Sequence, residues 1–279
     1  MKLGIALAGG GIRGIAHAGV LKALEENNIR PHMISGTSSG SEVAVLYALG
    51  YSPYQIYILF KRYAKEICKL NGIPIMFELS NFIINKKIKS SGINNGKKLE
   101  KAFNNIAEKK GVKKISEVDM PIFVPAVDIS ESKEMIFSSI KSKKYIGDIE
   151  IGKAILASSA FPAVFEPCKY KNHIFVDGGV LNNIPVKVLK DNGADKVIAV
   201  NFDSNTINEK SNVMDIIMKT LDIMGNKVSD EQLEDSESII TIPSDGTGLL
   251  DIENIDYCYN SGYLETMRHI EEIKNLTFQ

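Results

Sequence analysis

The sequence predicts an α/β fold with a mostly parallel central sheet and helices on both faces, in a single domain. Three observations lead there. Short, very apolar runs at residues 3–8 and 196–200 read as strands buried on both faces. Between such runs lie stretches with apolar residues at helical spacing, for example Ile15, Val20, Leu21 and Leu24. The two patterns alternate along nearly the whole chain, which is the order of repeated βα units. A chain of 279 residues, 44% of them hydrophobic and 24% charged, can bury a sizeable core. We divide it into a core over residues 1–200 and a helix–strand–helix segment over 201–279 that completes the same domain.

The elements follow in order. Residues 3–8 are the first strand and 12–27 the first helix. A second, short strand at 33–34 leads through Ser38 into a helix that stops near Gly50, a natural C-cap. Pro53 opens a helix through Tyr57, Phe60 and Tyr63, as proline at a first helical position does. Pro74, Asn81, Gly92 and the pair Asn95-Gly96 make residues 71–95 a long loop with some helical turns. Leu99, Phe103 and Ile106 mark the next helix. Residues 121–127 and 134–137 are strands, 151–156 a helix, 174–176 a strand and 185–189 a short helix. After the apolar strand at 196–200 come a helix at 213–228, a strand at 238–242 and a helix at 257–273.

Composition excludes several classes. A formal net charge of −1 implies no polyanionic partner, so no nucleic acid is expected. Cys68, Cys168 and Cys258 are odd in number and far apart, which fits a reducing cytoplasm better than a disulfide framework or a zinc site. No metal and no cofactor is expected. The apolar start of the chain breaks at Gly9-Gly10-Gly11 and meets Arg13, so it reads as a strand and not as a leader. No apolar run reaches the roughly 18 residues needed to span a bilayer.

Three motifs carry chemistry. Gly36-Thr37-Ser38-Ser39-Gly40 lies between a strand and a helix, the setting that makes G-x-S-x-G a nucleophile elbow. Gly36 and Gly40 let the turn close, and Ser38 is raised at a helix N-terminus, where negative charge is favoured. Gly9-Gly10-Gly11-Ile12-Arg13-Gly14 could be a dinucleotide fingerprint, but that needs an acidic residue at the end of the second strand. Glu25 and Glu26 fall inside the first helix instead. The same glycines suit an oxyanion hole, whose N–H groups must approach a developing alkoxide with no side chain between. Asp177-Gly178-Gly179 follows a third short strand. In a parallel sheet all three motifs would lie at the carboxyl ends, where Asp177 can act as base to Ser38.

A triad of Ser38, Asp177 and His269 has the chain order of an α/β-hydrolase. Against it, only one βα unit precedes Ser38, and His269 lies within an amphipathic helical run. His17, His32 and His173 read as packing or surface residues. The sequence therefore favours a Ser–Asp dyad. Lysines crowd the stretch from Asn81 to Lys114. They form either a solvated surface or one that meets anionic lipid through residues 77–114, with Phe77, Phe82, Ile83 and Ile84 as anchors beside Lys86, Lys87 and Lys89.

With these residues in view, the chain resembles the patatin-like phospholipases, in particular their compact bacterial members. The resemblance runs through the glycine loop with Arg13, His17 and Gly19-Val20-Leu21, then the Ser38 elbow. It continues in Ala157-Ser158-Ser159-Ala160-Phe161-Pro162-Ala163-Val164-Phe165-Glu166-Pro167, in the block from Asp177 to Pro185, and from Gly193 to Val200. It implies a lipid acyl hydrolase with Ser38 as nucleophile, Asp177 as proton acceptor, and Gly9, Gly10 and Gly11 as oxyanion loop, supported by Arg13, Gly14, Gly36, Gly40, Gly178 and Gly179. Plant relatives commonly carry an acidic residue where this chain has Ala8. Arg13 either orients the loop or meets a phosphate. A phospholipid or other acyl ester is the expected substrate, and the cytoplasm or the inner membrane surface the expected location. A soluble carboxylesterase or thioesterase, and a non-enzymatic lipid-surface regulatory protein, are the alternatives.

Overall fold

The computed structural model describes residues 1–70, 92–203, 233–244 and 251–277, with isolated positions 219, 220, 223 and 247. The expected helix at 213–228 apart from positions 219, 220 and 223, nearly all of the expected loop at 71–95, and the residues Phe77, Phe82, Ile83, Ile84, Lys86, Lys87 and Lys89 fall outside them. In chain order the strands are β1 (Leu3–Leu7), β2 (Met33–Gly36), β3 (Gly92–Asn94), β4 (Ile122–Asp128), β5 (Lys133–Ser138), β6 (Tyr145–Ile146), β7 (Ala163–Phe165), β8 (Cys168–Tyr170), β9 (His173–Asp177), β10 (Lys196–Phe202) and β11 (Ser238–Ile242). The helices are α1 (Ala16–Glu26), α2 (Ser39–Ala48), α3 (Pro53–Leu70), α4 (Lys97–Glu108), α5 (Ile151–Ser158), α6 (Val186–Asp191), α7 (Ile255–Arg268) and α8 (Ile270–Thr277).

Five parallel strands form the centre of the sheet, in the spatial order β11-β10-β1-β2-β4. β1 and β4 are buried at every residue, as strands covered on both faces must be. The chain moves from β1 to β2 and β4 on one side, then returns to β10 on the other, so the carboxyl end of β1 lies at a topological switch point. Gly4 on β1 abuts Leu189 of α6, and the neighbouring Ser35 hydroxyl donates to the Pro185 carbonyl at 2.7 Å, which fixes α6 against that face. Phe103, Phe123, Phe137 and Phe175 are wholly buried, and Phe137 meets Phe175 edge-on at 5.3 Å.

The parallel pattern ends at β4. β5 pairs along one edge of β4 in the antiparallel sense. The other edge is shared: Ile122 and Phe123 pair with β2, whereas Ala126 to Asp128 pair antiparallel with β9. Pro125 lies between the two stretches and has no N–H to donate to either. β9 therefore runs opposite to β2, and not alongside it as the sequence reading expects. The reason is a hairpin, β8 with β9, that turns at Lys171-Asn172. Two further differences are small. A strand, β3, paired with β7, begins within the expected loop. The expected last helix is two helices, with His269 between α7 and α8.

α1 packs on α7 at a crossing made by two glycines. A Cβ on Gly19 would strike the Tyr259 carbonyl, and one on Gly262 the Ala16 carbonyl. Glycine is needed here for close approach of two helix backbones, so Gly262→Ala should lower stability by roughly 1–3 kcal/mol. Thermal unfolding checks this; an unchanged midpoint would refute the crossing.

Glu42 on α2 is enclosed with the core, where the Tyr63 hydroxyl of α3 donates to it. Burial first, and then the charge of Asp177, push its carboxyl well above the usual range. The unfolded chain ionises Glu42 near its ordinary value, the folded chain only at far higher pH. Stability thus falls as pH rises above about 4.5, and levels off beyond the folded value. Glu42→Gln should be more stable than the parent at about pH 8, with the advantage gone near about pH 4. Melting curves across that range check the sign; a constant offset would mean that Glu42 is ionised in the fold.

Candidate active site

β2 ends at Gly36 and α2 begins at Ser39, so the chain must pass from strand to helix in two residues. Ser38 takes the turn with φ 51° and ψ −125°. A non-glycine residue so held is strained by about 1–3 kcal/mol and persists only where its surroundings impose it. They do so here from several sides. Gly36 packs against the Gly40 carbonyl, and Gly40 against the Leu7 and Ala8 carbonyls, leaving no room for a side chain at either. The Ser41 hydroxyl and the Ser41 and Glu42 N–H groups donate to the Ser38 carbonyl at 2.6, 2.9 and 3.3 Å. The Ser38 N–H donates to Ser158 Oγ at 3.0 Å. Ser38 stays partly exposed between buried neighbours.

The glycine loop lies directly above. A Cβ on Gly9 would come within 3.1 Å of Ser38 Cβ. The Gly9 N–H donates to Asn183 Oδ1 at 3.1 Å, and the Gly10 N–H to Ser39 Oγ at 3.1 Å. Gly14 abuts Ser39 as well, which keeps that hydroxyl under the loop. Gly11 has φ 58°, a conformation glycine adopts without cost. Arg13 is buried and faces inward: its Nε and its backbone N–H both reach the Gly10 carbonyl, at 3.4 and 3.2 Å. Its guanidinium also lies 5.2 Å from the centre of the Phe202 ring. The Gly10–Gly11 peptide is planar and trans, so a carbonyl drawn to Arg13 turns the Gly11 N–H the opposite way. Among the described residues that N–H has no hydrogen-bond acceptor. His17 holds a carbonyl two peptides earlier, with Nε2 2.8 Å from the Ala8 carbonyl. Burial, partly offset by that hydrogen bond, brings its imidazole down to about 4, so the ring is neutral and donates.

Asp177 closes the site from the other side. It is 2% exposed, ends β9, and accepts the Gly179 N–H on Oδ1 at 2.8 Å. Because β9 opposes β2 along β4, the two carboxyl ends meet head to head. A Cβ on Gly178 would strike the Pro125 carbonyl and come within 3.0 Å of Thr37 Cγ2. The Thr37 hydroxyl donates to the Asn182 carbonyl at 2.8 Å, and Gly179 lies beside Asn183. The three motifs thus share one locality. Glu42 lies near enough for Asp177 to act on it: burial first, and the coulombic effect of Asp177 second, keep the Glu42 carboxyl protonated.

The other histidines lie elsewhere. His269 is within 3.5 and 3.6 Å of Glu265 and Glu272 at the α7–α8 junction. The His32 ring accepts the Leu3 N–H at 3.2 Å. His173 opens β9, at the end away from Asp177, and its Nδ1 lies 2.6 Å from Asp128 Oδ2. With Glu131 these form a group of donors close enough to hold a cation. Asp128 is already engaged by Ser130 and Ile174 as well. Burial would raise its carboxyl, but the hydrogen bonds from Ser130, His173 and Ile174 bring it down to about 2. Ser158, Asn183 and Glu42 are the site residues that sequence reasoning assigns no role. Ser158 and Asn183 stand inside the blocks that carry the family resemblance, but what they bond to is backbone far away in the chain.

Comparisons with known proteins bear on the family and the fold. Lysophospholipase NTE1 of Debaryomyces hansenii is 31% identical over 205 residues, covering 73% of this chain and 12% of that protein. Lysophospholipase NTE1 of Candida albicans is 31% identical over 202 residues, covering 72% of this chain and 13% of that protein. The chain therefore spans only about an eighth of the length of these curated relatives. Among solved structures, ExoU, in its heterodimeric complex with SpcU from the type III secretion system of Pseudomonas aeruginosa, matches with a TM-score of 0.51. Its identity is 17%, over 98% of this chain and 51% of that one. VipD from Legionella pneumophila matches with a TM-score of 0.50 and 15% identity, over 97% of this chain and 66% of that one. At such identities the two bear on the fold alone. The family model described as Patatin-like phospholipase matches residues 5–190, well over half of the sequence, and the chain belongs to that family.

Proposed function

We propose that this chain is a lipid acyl hydrolase that cleaves carboxylic esters of phospholipids or lysophospholipids through an acyl-serine. The observation that carries the reading is the strained Ser38 at the end of β2, faced end-on by the strand that delivers Asp177. The family, and the lysophospholipase names of the relatives, support the substrate class. Asp177 takes the Ser38 hydroxyl proton as Oγ attacks the ester carbonyl. The tetrahedral oxyanion rests on the glycine loop, with Gly11 N–H as its uncommitted donor, while Gly9 and Gly10 are held in shape by Asn183 and Ser39. The C–O bond then breaks and the alcohol leaves with the proton from Asp177. Water, deprotonated by Asp177, attacks the acyl-serine and releases the fatty acid. A neutral Glu42 adds no second negative charge beside the proposed base.

Labelling with a fluorophosphonate probe, mapped by mass spectrometry, tests the nucleophile. Label is expected on Ser38, with none on Ser38→Ala, and Asp177→Asn should lose about 100- to 10,000-fold in turnover. Labelling elsewhere, or none, would leave a lipid-surface binding protein as the better reading. Hydrolysis of soluble aryl or thioesters but not of a phospholipid and lysophospholipid panel would make it a soluble esterase.

We also propose that the protein meets an anionic membrane through α4. Leu99, Phe103 and Ile106 point into the core and leave Lys97, Lys98 and Lys101 exposed. Among the described residues no helix is long and apolar enough to cross a membrane, so contact would be peripheral. Each lysine near an anionic surface contributes roughly 1 kcal/mol, weakened by salt. Co-sedimentation with vesicles should therefore rise with anionic lipid and fall for Lys97/Lys98/Lys101→Glu. Equal binding by both proteins would leave α4 as a solvated face.

A further inference from the structure

α5 ends at Ser158, and the chain runs through Ser159 and Ala160 into β7. Within these three residues it touches both members of the proposed dyad. Ser158 Oγ accepts the Ser38 N–H at 3.0 Å, and the Ala160 carbonyl accepts the Asp177 N–H at 3.1 Å. The turn is itself braced. The Ser159 N–H donates to the Ile155 and Leu156 carbonyls, and the Phe161 N–H to the Ser159 carbonyl at 2.7 Å. The Val164 and Phe165 N–H groups then close onto the Phe161 carbonyl. Ser158 is fully buried at the end of a helix buried at nearly every position.

The Ser38 N–H needs such a partner. β2 has already ended, and a residue ahead of the first helical turn has no carbonyl behind it to accept its N–H. Ladder and helix both fail at this one position, and a side-chain hydroxyl from 120 residues away takes the N–H instead. Without it, the simplest relaxation of the elbow would be rotation of the Thr37–Ser38 peptide, which moves Ser38 Oγ with it.

We infer that Ser158 is a positioning residue for catalysis: its hydroxyl sets the orientation of the nucleophile elbow, and the turn it begins holds Asp177 in register with Ser38. This rests on Ser38 and Asp177 being the dyad. Ser158 touches the Ser38 backbone and acts through it.

Ser158→Ala removes the acceptor without adding bulk, and Ser158→Thr restores a hydroxyl. Misplacing a reacting group by about 1 Å costs on the order of 100-fold in rate. Ser158→Ala should therefore lose on the order of 100-fold in kcat for a soluble aryl ester, and as much in the rate of fluorophosphonate labelling. KM should stay within about twofold, as befits a change that leaves substrate binding alone. Amide hydrogen exchange in the peptide spanning residues 33–42 should quicken, and Ser158→Thr should recover most of the lost rate. Labelling and kcat unchanged in Ser158→Ala, or reduced only in step with loss of folded protein, would overturn the assignment; so would unchanged exchange at the elbow. If the parent protein itself neither labels nor hydrolyses, the dyad reading fails and this assignment with it. That result is distinct from a labelled parent and an unaffected variant.

Discussion

The divided edge of β4 is the constraint on which the site depends. One strand serves two partners of opposite direction, β2 along its first residues and β9 along its last, with Pro125 between them. A strand edge is a single file, so β2 and β9 must stop where they meet. Each therefore turns away from the sheet at the same point, one into the Ser38 elbow and the other into the Asp177 turn. In a wholly parallel sheet, loops at the carboxyl ends stand side by side, about one strand spacing of 4.8 Å apart. Here two of them are end to end, which removes that spacing and brings a serine and a carboxylate toward one another with little loop on either side.

Around that meeting point the backbone is steered by groups the chemistry does not consume. Arg13 and His17 hold the Gly10 and Ala8 carbonyls, and the imidazole and the guanidinium both lie against Phe202, with His17 and Phe202 centred 5.0 Å apart. A neutral His17 donates to the loop at ordinary pH and gains no charge there. At Gly10 the carbonyl is drawn toward Arg13, so the Gly11 N–H at the other side of the same peptide faces away from it, whereas the Gly9 N–H beyond the Ala8 carbonyl is taken by Asn183. Burial, and after it the coulombic effect of Asp177, raises the Glu42 carboxyl and keeps its proton on it.

The glycine loop, the elbow and the Asp177 turn were legible because each rests on backbone shapes that only small residues allow, and such residues are visible in sequence. The alternation of apolar strands and amphipathic helices was legible for the same reason that it folds. The direction of β9 was not. It follows from the β8–β9 hairpin, whose turn uses Lys171 at φ 53° and so lacks the glycine that signals a hairpin. β6, with two residues, is too short for any period to register. The break at His269 has neither glycine nor proline beside it, and the helical pattern reads straight through. Ser158 and Asn183 escaped for a different reason: their partners are backbone groups 120 and 174 residues away, and nothing local in the chain marks such a pairing.

The helix crossing at Gly19 and Gly262 bears on where this protein can be cut. The family match stops at residue 190, before β10 and α7. Yet β10 is the neighbour of β1 along its full length, and α7 lies in a groove of α1 shaped by the absence of two side chains. A fragment trimmed to the matched region would lay bare the edge of the strand that leads into the glycine loop, together with a flat apolar helix face. Such an edge invites pairing with another chain. Anyone grafting this unit into a larger protein, or joining a partner to it, should carry the chain through at least residue 277, because the borders of recognisable sequence and of cooperative packing do not coincide.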